Sequence, residues 1–218
     1  MTLRIVVVST LAFAGLIAPA AAETITFGGV QPGALPKEFV SGLTGSGAVG
    51  RWEVIEDSSA DGKKALAQLS ADKTDYRFPL AVYHRTFPRD VDVSVRFKAV
   101  SGTVDRAGGV AVRLQDAQNY YLVRANALED NIRLYRVRNG RREEMKGANV
   151  EVLAGEWHTL ALRAQGNRLA VSFNGKALFE ARDETFSTSG KVALWTKADS
   201  VTHFDRIEIT PLSDGSKP

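Results

Sequence analysis

The sequence predicts an all-β protein, an antiparallel sandwich or barrel, on three observations. Apolar and polar residues alternate with period two, as in Val91–Phe97. Runs of this kind are short and are separated by Gly, Asn and Asp. Asn139-Gly140 and Asn174-Gly175 stand between such runs, and Asn-Gly suits a two-residue hairpin because both central residues of its type I′ turn need positive φ. Helical periodicity is almost absent after residue 22.

The N-terminal segment, residues 1–22, is typical of a secretory signal peptide. Arg4 is its one charge, Ile5–Ile17 is apolar apart from two hydroxyl residues, and Ala20–Ala22 offers a small-residue cleavage site before Glu23. The apolar run is short for a spanning helix, and no later stretch is apolar enough for one. We therefore expect a periplasmic or secreted protein with no membrane insertion after signal cleavage.

The remaining chain is expected to form one domain over residues 23–212, followed by a flexible polar tail at residues 213–218. A first strand is predicted around Thr24–Phe27 and another around Trp52–Glu56. The Gly- and Pro-rich residues 28–50 between them predict a long irregular loop. Later strands are predicted at Val91–Phe97, Val110–Leu114, Tyr120–Asn126, Asn131–Arg138, Trp157–Ala164, Arg168–Phe173, Lys176–Ala181, Lys191–Thr196 and Phe204–Ile209.

Composition excludes several classes of chemistry. The 218 residues contain no cysteine, which rules out disulfides, thiolate metal sites and a cysteine nucleophile. Lys and Arg exceed Asp and Glu by only 28 to 25, and an exported protein rarely meets nucleic acid, so no nucleic-acid partner is expected. The basic stretch Arg133–Lys146 fits a solvated hairpin, with an anion-binding patch as the alternative.

Alternation also assigns faces within the predicted strands. If Val110–Leu114, Tyr121–Ala125 and Val192–Leu194 each direct their apolar parity toward the core, the intervening side chains face outward. In Asn131–Arg138 the parity fails at Arg136–Val137, where we expect a bulge, so its faces stay unassigned. The residues predicted on the outer side are Arg113, Tyr120, Arg124, Asn126, Trp195 and Lys197.

Several segments resemble concanavalin A-like, laminin G-like jelly rolls: Gln115–Arg124, Gly155–Leu160, Phe173–Lys176, Gly190–Trp195 and Phe204-Asp205. More narrowly, Arg124–Asn131 and Trp195–Val201 resemble the exported bacterial family named for 3-keto-disaccharide hydrolase. The resemblance extends over roughly Trp52–Ile209. It implies a concanavalin A-like jelly-roll β-sandwich of two antiparallel sheets, with ligands met on the concave outer face. Related jelly rolls carry structural calcium, so a structural calcium ion is the one cofactor that the resemblance leaves open.

The residue types on that face suit a carbohydrate or glycan ligand. Aromatic rings stack on the apolar faces of sugar rings, while Arg, Asn and Lys donate hydrogen bonds that fix hydroxyl groups. The alternative is that the rings only pack within the sheet. The predicted ligand-binding residues are Tyr83, Arg113, Tyr120, Arg124, Asn126, Trp195 and Lys197.

An enzymatic function is the competing hypothesis. The chain lacks the Glu-x-Asp-x-x-Glu strand that glycosidases of this fold often carry. Cleavage of a 3-keto-glycoside would need fewer catalytic groups, because the keto group acidifies the neighbouring C–H. A hydrolase or lyase then needs one base and a group that stabilises the enolate. Glu129, Asp199 and His203 are the catalytic candidates, and three histidines are too few to predict a metal site. A structural or protein-interaction domain is the further alternative.

Overall fold

The alternating segments form fifteen β-strands in the computed structural model, which describes residues 21–213. The predicted signal peptide lies outside this range except for Ala21 and Ala22, and of the predicted tail only Ser213 is described. Within residues 21–213 no helix has the length and apolar character needed to cross a bilayer. The strands are β1 (Glu23–Thr26), β2 (Phe39–Gly45), β3 (Trp52–Glu56), β4 (Lys64–Gln68), β5 (Arg77–Phe87), β6 (Val91–Ser101), β7 (Ala107–Asp116), β8 (Asn119–Asn126), β9 (Asn131–Arg138), β10 (Arg141–Asn149), β11 (Trp157–Gln165), β12 (Arg168–Phe173), β13 (Lys176–Arg182), β14 (Gly190–Thr196) and β15 (Val201–Pro211).

Two antiparallel sheets contain all of these strands. An eight-stranded sheet has the order β13-β12-β11-β6-β15-β4-β3, with β1 also paired to β15. A seven-stranded sheet has the order β10-β9-β8-β7-β14-β5-β2. Neighbours in space are often distant in sequence, as β6 and β15 are, which is the connectivity of a sandwich with long crossovers. The prediction of an all-β protein with two antiparallel sheets is confirmed.

The main core lies between the sheets. Val91, Val93, Val95 and Phe97 of β6 are all buried there, and their polar neighbours point to the other side of the sheet. The facing sheet contributes the Tyr121–Ala125 parity of β8 to the same core. Each fully buried side chain of this size contributes about 1.5–3 kcal/mol relative to an exposed one. With no disulfide available, this burial is the main stabilising term.

Both Asn-Gly pairs form the predicted hairpin turns. Asn139 and Gly140 have φ of 49° and 76° between β9 and β10, and Asn174 and Gly175 have φ of 47° and 76° between β12 and β13. Two consecutive positive φ values are the signature of a type I′ turn, whose twist matches that of the flanking strands.

The prediction that residues 28–50 form one irregular loop is wrong. Phe39–Gly45 forms β2 at the edge of the seven-stranded sheet, paired with β5 from Phe39↔Tyr83 to Gly45↔Arg77. The segment has two glycines and little alternation, so its own sequence hardly indicates a strand. The hydrogen-bonding edge of β5 supplies the order instead.

A fully buried arginine, Arg77, connects two loops at one end of the sandwich. The Arg77 guanidinium donates to the carbonyl oxygens of Ala48 at 2.6 Å, Val49 at 3.2 Å and Ala198 at 2.5 Å. Burial lowers the pKa of Arg77, and the carboxylate of Asp72, 3.5 Å away, opposes that shift. These bonds fix the loop that follows β14, which carries several of the residues described next.

Candidate functional site

The outer face of the seven-stranded sheet carries a second apolar cluster. Alternate residues of each strand point away from the inter-sheet core, and on this sheet many of them are apolar or aromatic. The outer face of the eight-stranded sheet instead presents charged side chains such as Arg96, Lys98 and Arg206. The second cluster consists of Phe78, Leu80, Ala107, Ala111, Leu114, Tyr120, Leu122, Tyr135, Val137, Ala193 and Trp195.

Aromatic rings make up the centre of this outer face. Trp195 stacks on Phe78 with 5.4 Å between ring centroids and 17° between planes. The Arg142 guanidinium lies over the same rings, 4.7 Å from the Phe78 centroid, 5.8 Å from Trp195 and 4.4 Å from Tyr135. Tyr120 shares a hydrogen bond of 2.7 Å with the Thr44 hydroxyl, and burial raises its pKa to about 12. Trp195 and Tyr120 are therefore integral to the cluster, with Arg142 above it.

A first polar group adjoins these rings on β8 and β9. Arg124 donates to Glu129 Oε2 at 3.0 Å, to the Tyr135 hydroxyl at 3.3 Å and to the side-chain oxygen of Asn131. Asn131 also donates to Glu129 at 3.0 Å. Burial alone would raise the pKa of Glu129, but the Asn131 hydrogen bond and the charge of Arg124 lower it below its usual value.

The absence of a side chain at Gly109 makes room for Arg124. Gly109 pairs with Arg124 on β8 and with Trp195 on β14, so it lies between them in the sheet. A Cβ at this position would meet the Arg124 Cβ at 3.0 Å and the Val123 oxygen at 2.5 Å. The small residue thus allows the guanidinium and the indole to lie on the same side of the sheet.

A second polar group surrounds Asp105, in the turn before β7. Lys197 Nζ lies 3.1 Å from Asp105 and 3.0 Å from Asp75, and the Asn126 amide donates to Asp105 at 3.0 Å. Burial raises the pKa of Asp105 even though Lys197 opposes the shift. Burial would lower the pKa of Lys197, but the two carboxylates outweigh it and raise that pKa. The charge of Arg124 also acts on Asp105, so the two polar groups form one electrostatic network.

Asp199 positions the turn that carries Asp105. Its carboxylate accepts hydrogen bonds from the backbone N–H of Thr103 at 2.8 Å, Val104 at 3.0 Å and Asp105 at 3.0 Å, and from the Thr103 hydroxyl at 2.9 Å. Burial opposes ionisation, but these bonds outweigh it and lower the pKa of Asp199. Asp199, predicted as a catalytic candidate, has its oxygens engaged in holding this loop.

Five of the seven predicted ligand-binding residues meet on this outer face. They are Tyr120, Arg124, Asn126, Trp195 and Lys197. Tyr120, Asn126 and Trp195 are fully buried there and Arg124 is almost so, which means that the two rings pack within the sheet, as the alternative had it. Glu129, a predicted catalytic candidate, lies beside them with its side chain 49% exposed. The other two predicted ligand residues and the predicted His203 lie elsewhere.

The prediction that Arg113 faces outward is wrong. Arg113 has a φ of 50° and lies in a register shift of β7 after Val112, so alternation inverts there. Leu114 consequently joins the outer cluster, and the guanidinium turns inward to donate to the carbonyl oxygens of Arg89 at 2.8 Å, Gly166 at 2.9 Å and Phe186 at 2.9 Å. Burial lowers the pKa of Arg113. Arg113 is a structural residue at the opposite end of the sandwich from Arg77.

Tyr83 does not face the aromatic cluster either. Its ring packs in the inter-sheet core, 5.1 Å from Phe39, and its hydroxyl donates to Glu23 at 2.5 Å. Burial raises the pKa of Tyr83 to about 12. The prediction that it joins Trp195 on one surface is wrong, because the outer parity of β5 belongs to Phe78 and Leu80.

His203 lies on the other sheet. Its Nδ1 is 2.7 Å from Asp57, which also contacts Lys98 Nζ at 2.5 Å. Burial lowers the pKa of His203 although Asp57 opposes the shift. The placement on β15 separates this histidine from Arg124 and Lys197.

Two residues of the first polar group, Tyr135 and Asn131, were not among the predicted site residues. Tyr135 and Asn131 share the outer parity of β9, which pairs with β8 without any register shift. The predicted bulge at Arg136–Val137 is wrong: the shift occurs on the partner strand β10, between Glu144 and Lys146. Regular alternation through β9 would have identified both residues.

The clustering of side chains does not support a metal site. The part of the chain that the structure describes contains no group of three or more His, Asp or Glu placed to hold a metal ion. Asp205, a buried acid on β15, contacts the Arg96 guanidinium and accepts from the Asp61 N–H at 2.8 Å. Structural calcium therefore stays a prediction from the resemblance.

Comparison with known proteins gives both a family and a fold. The family model described as galactocerebrosidase, C-terminal lectin domain, matches residues 89–212, more than half of the chain. This stretch runs from β6 to β15 and includes Arg124, Asn126, Trp195 and Lys197. No protein of curated function matches the sequence.

Similar solved structures are concanavalin A-like jelly rolls. The carbohydrate-binding module CBM66 from Bacillus subtilis is 18% identical with a TM-score of 0.59, over 76% of this chain and 91% of that one. A Bacillus subtilis protein of unknown function with a galectin-like fold is 11% identical with a TM-score of 0.59, over 88% and 96%. Bacillus licheniformis β-glucanase is 14% identical with a TM-score of 0.55, over 88% and 99%. The prediction of a concanavalin A-like jelly-roll sandwich is confirmed.

Proposed function

The chain belongs to the family of galactocerebrosidase C-terminal lectin domains, and from this membership we propose that it binds a glycan on the outer face of its seven-stranded sheet. One observation supports this face above the others. Arg124 and Asn126 of β8 and Lys197 after β14 come from two distant parts of the chain and converge beside an aromatic cluster. Convergent polar groups beside apolar side chains are what a sugar site requires.

The polar network is suited to hydroxyl groups. Arg124 and Lys197 are each paired with carboxylates that carry further acceptor positions, so donors and acceptors alternate along this edge of the face. Their side chains hold one another in fixed geometry, which reduces the entropy lost on binding. A sugar hydroxyl both donates and accepts, and it can bridge a guanidinium and a carboxylate in such an arrangement.

A glycan array probed with protein purified from cells expressing the full chain tests the proposal. Arg124→Gln removes the guanidinium and leaves Glu129 half exposed to water, so the fold is expected to survive. We expect this variant to bind about 10- to 100-fold more weakly, the effect of losing one charge-assisted hydrogen bond. Arg168→Gln, in an exposed pair with Glu180 on the other sheet, is the matched control.

The outcomes separate the alternatives. Equal binding by the Arg124→Gln variant and the unaltered protein would place the site elsewhere. If the unaltered protein binds no glycan on the array, a structural or protein-interaction domain becomes the better description. Thermal unfolding of each variant shows that a loss of signal is not a loss of fold.

A second candidate function is a hydrolase or lyase acting on a 3-keto-glycoside at the same face. The observation in its favour is that Glu129 lies 3.0 Å from Arg124 with half of its side chain exposed. Glu129 would take the proton from the carbon next to the keto group, and the C–H electrons would form an enolate held by Arg124. Collapse of the enolate would expel the glycosidic oxygen, which then takes up a proton.

Turnover assays decide the enzyme question. We expect 3-keto-disaccharides, and not ordinary disaccharides, to be cleaved, with at least ~100-fold less activity in Glu129→Gln. Parallel reactions with a chelator test the calcium prediction. Absence of turnover on every 3-keto substrate would exclude this candidate while leaving glycan binding intact.

A further inference from the structure

Arg142 differs from the other basic residues of the outer face. Arg124 and Lys197 each have a carboxylate within 3.1 Å. For Arg142, residues 21–213 provide neither a carboxylate within salt-bridge distance nor an acceptor for its buried Nη1. Its contacts are instead the three rings of Phe78, Tyr135 and Trp195.

The rings and the backbone fix Arg142 in this position. The Arg142 N–H donates to the Tyr76 hydroxyl at 3.1 Å, and that hydroxyl donates to the Gly140 carbonyl at 3.0 Å. The β9–β10 hairpin is thereby tied to the segment before β5. Cation–π attraction then holds the guanidinium over the rings.

Such an arrangement favours an anionic partner. A guanidinium without an ionic partner gains free energy when a ligand supplies a carboxylate. Guanidinium groups bind carboxylates with two parallel hydrogen bonds, and a guanidinium lying on rings is partly desolvated already. The neutralised Arg124 and Lys197 add no comparable attraction for charge.

We propose that Arg142 makes this site selective for glycans that carry a carboxylate, such as uronic-acid residues. The proposal rests on the proposed glycan-binding function and deepens it. Arg142 holds the carboxylate, and Arg124 with its neighbours holds the hydroxyl groups of the same ligand. Within the basic stretch Arg133–Lys146, the proposal assigns anion binding to Arg142 alone.

Matched pairs of oligosaccharides test the selectivity. Oligomers of galacturonate, glucuronate and mannuronate are each compared with the same oligomers after reduction of the carboxyl group to an alcohol. We expect the unaltered protein to bind at least one acidic oligomer about 10-fold or more tightly than its reduced partner. Arg142→Gln should lose this preference and retain binding to the reduced oligomer.

Two further variants sharpen the readout. Arg142→Lys keeps the charge without the planar fork and should retain only part of the preference. Arg141→Gln changes the exposed neighbouring arginine on the same strand and should leave the preference unchanged. Titration calorimetry at low and high salt gives the affinities, and thermal unfolding checks that each variant is folded.

The failure of this inference is distinct from that of the proposed function. Equal affinity for acidic and reduced oligomers, or a preference that survives in Arg142→Gln, overturns the role of Arg142 while glycan binding stands. Binding to neither oligomer of any pair also overturns the role of Arg142, and the glycan array then decides whether the proposed function stands. Weakening of all oligomers alike by Arg124→Gln, with the preference intact, supports the division of roles between the two arginines.

Discussion

Replacing Asp199 with Ala tests whether this carboxylate holds the turn that carries Asp105. Asp199 is 3% exposed and accepts four hydrogen bonds from residues 103–105. The Asp105 N–H is buried, and losing its acceptor costs about 1–3 kcal/mol. Thr103 and Val104 are exposed, so water can replace the Asp199 carboxylate as their hydrogen-bond acceptor. Losing these bonds together is expected to cost about 0.5–1.5 kcal/mol of folding free energy. We expect the free energy of unfolding to fall by about 3 kcal/mol, and Tm by roughly 6–12 °C.

Chemical denaturation at neutral pH measures this loss, with Asp199→Asn and Asp92→Ala alongside. Asn keeps one acceptor oxygen and should lose about half as much. Asp92, on the surface near Arg163 at 3.5 Å, should cost under ~1 kcal/mol. A change below ~0.5 kcal/mol for Asp199→Ala would refute a structural role for this residue.

The pH dependence of the same variants gives a second check. The pKa of Asp199 is lowered in the folded protein. Its carboxylate therefore adds stability above the unfolded-state pKa of about 3.9, and this contribution disappears as pH falls below that value. The difference between the unaltered protein and Asp199→Asn should shrink in acid. A difference that is constant with pH would contradict the assignment.

Three other predictions concern the fold and its export. Arg113→Lys should destabilise the protein by about 2–4 kcal/mol, measured by urea unfolding, because an ammonium cannot reach three separate carbonyl groups; an unchanged midpoint would contradict this. Burial raises the pKa of Tyr83 and Tyr121 to about 12, so stability should be complete below pH 10 and decline between pH 10 and 12. Unfolding curves across that range that do not change would refute it. N-terminal sequencing of exported protein should find Glu23 first, since small residues precede it; retention of Met1 would exclude cleavage.

Strong alternation of apolar and polar residues made most strands predictable. For some residues, however, it could not predict the face of the sheet to which the side chain points. Val91–Phe97 alternates without exception and forms the centre of the eight-stranded sheet as expected. In β5 the run Phe78–Tyr83 is almost wholly apolar, so parity could not show that Tyr83 faces inward. At Arg113 the positive φ falls on a residue type that gives no warning of it.

Which residues come together at the site depends on the order of the strands in the sheet, as well as on the face to which each side chain points. Trp195 and Arg124 are separated by 71 positions in the sequence and lie one strand apart across Gly109. Arg142 reaches the same rings from the sheet edge, in a hairpin whose sequence indicates only solvated charge. Contacts of this kind follow from which strands become neighbours, and local patterns carry no information about that order.

Arg77 and Arg113 have a consequence for how the protein depends on its surroundings. Each guanidinium joins chain segments that are far apart in sequence, and the two arginines lie at opposite ends of the sandwich. Exported proteins commonly use disulfides as such cross-links, and these require an oxidant to form and fail under reduction. A cross-link made by hydrogen bonds needs neither an oxidase nor an isomerase, and it re-forms at each refolding event. The folded state is therefore expected to be equally accessible in reducing and oxidising compartments.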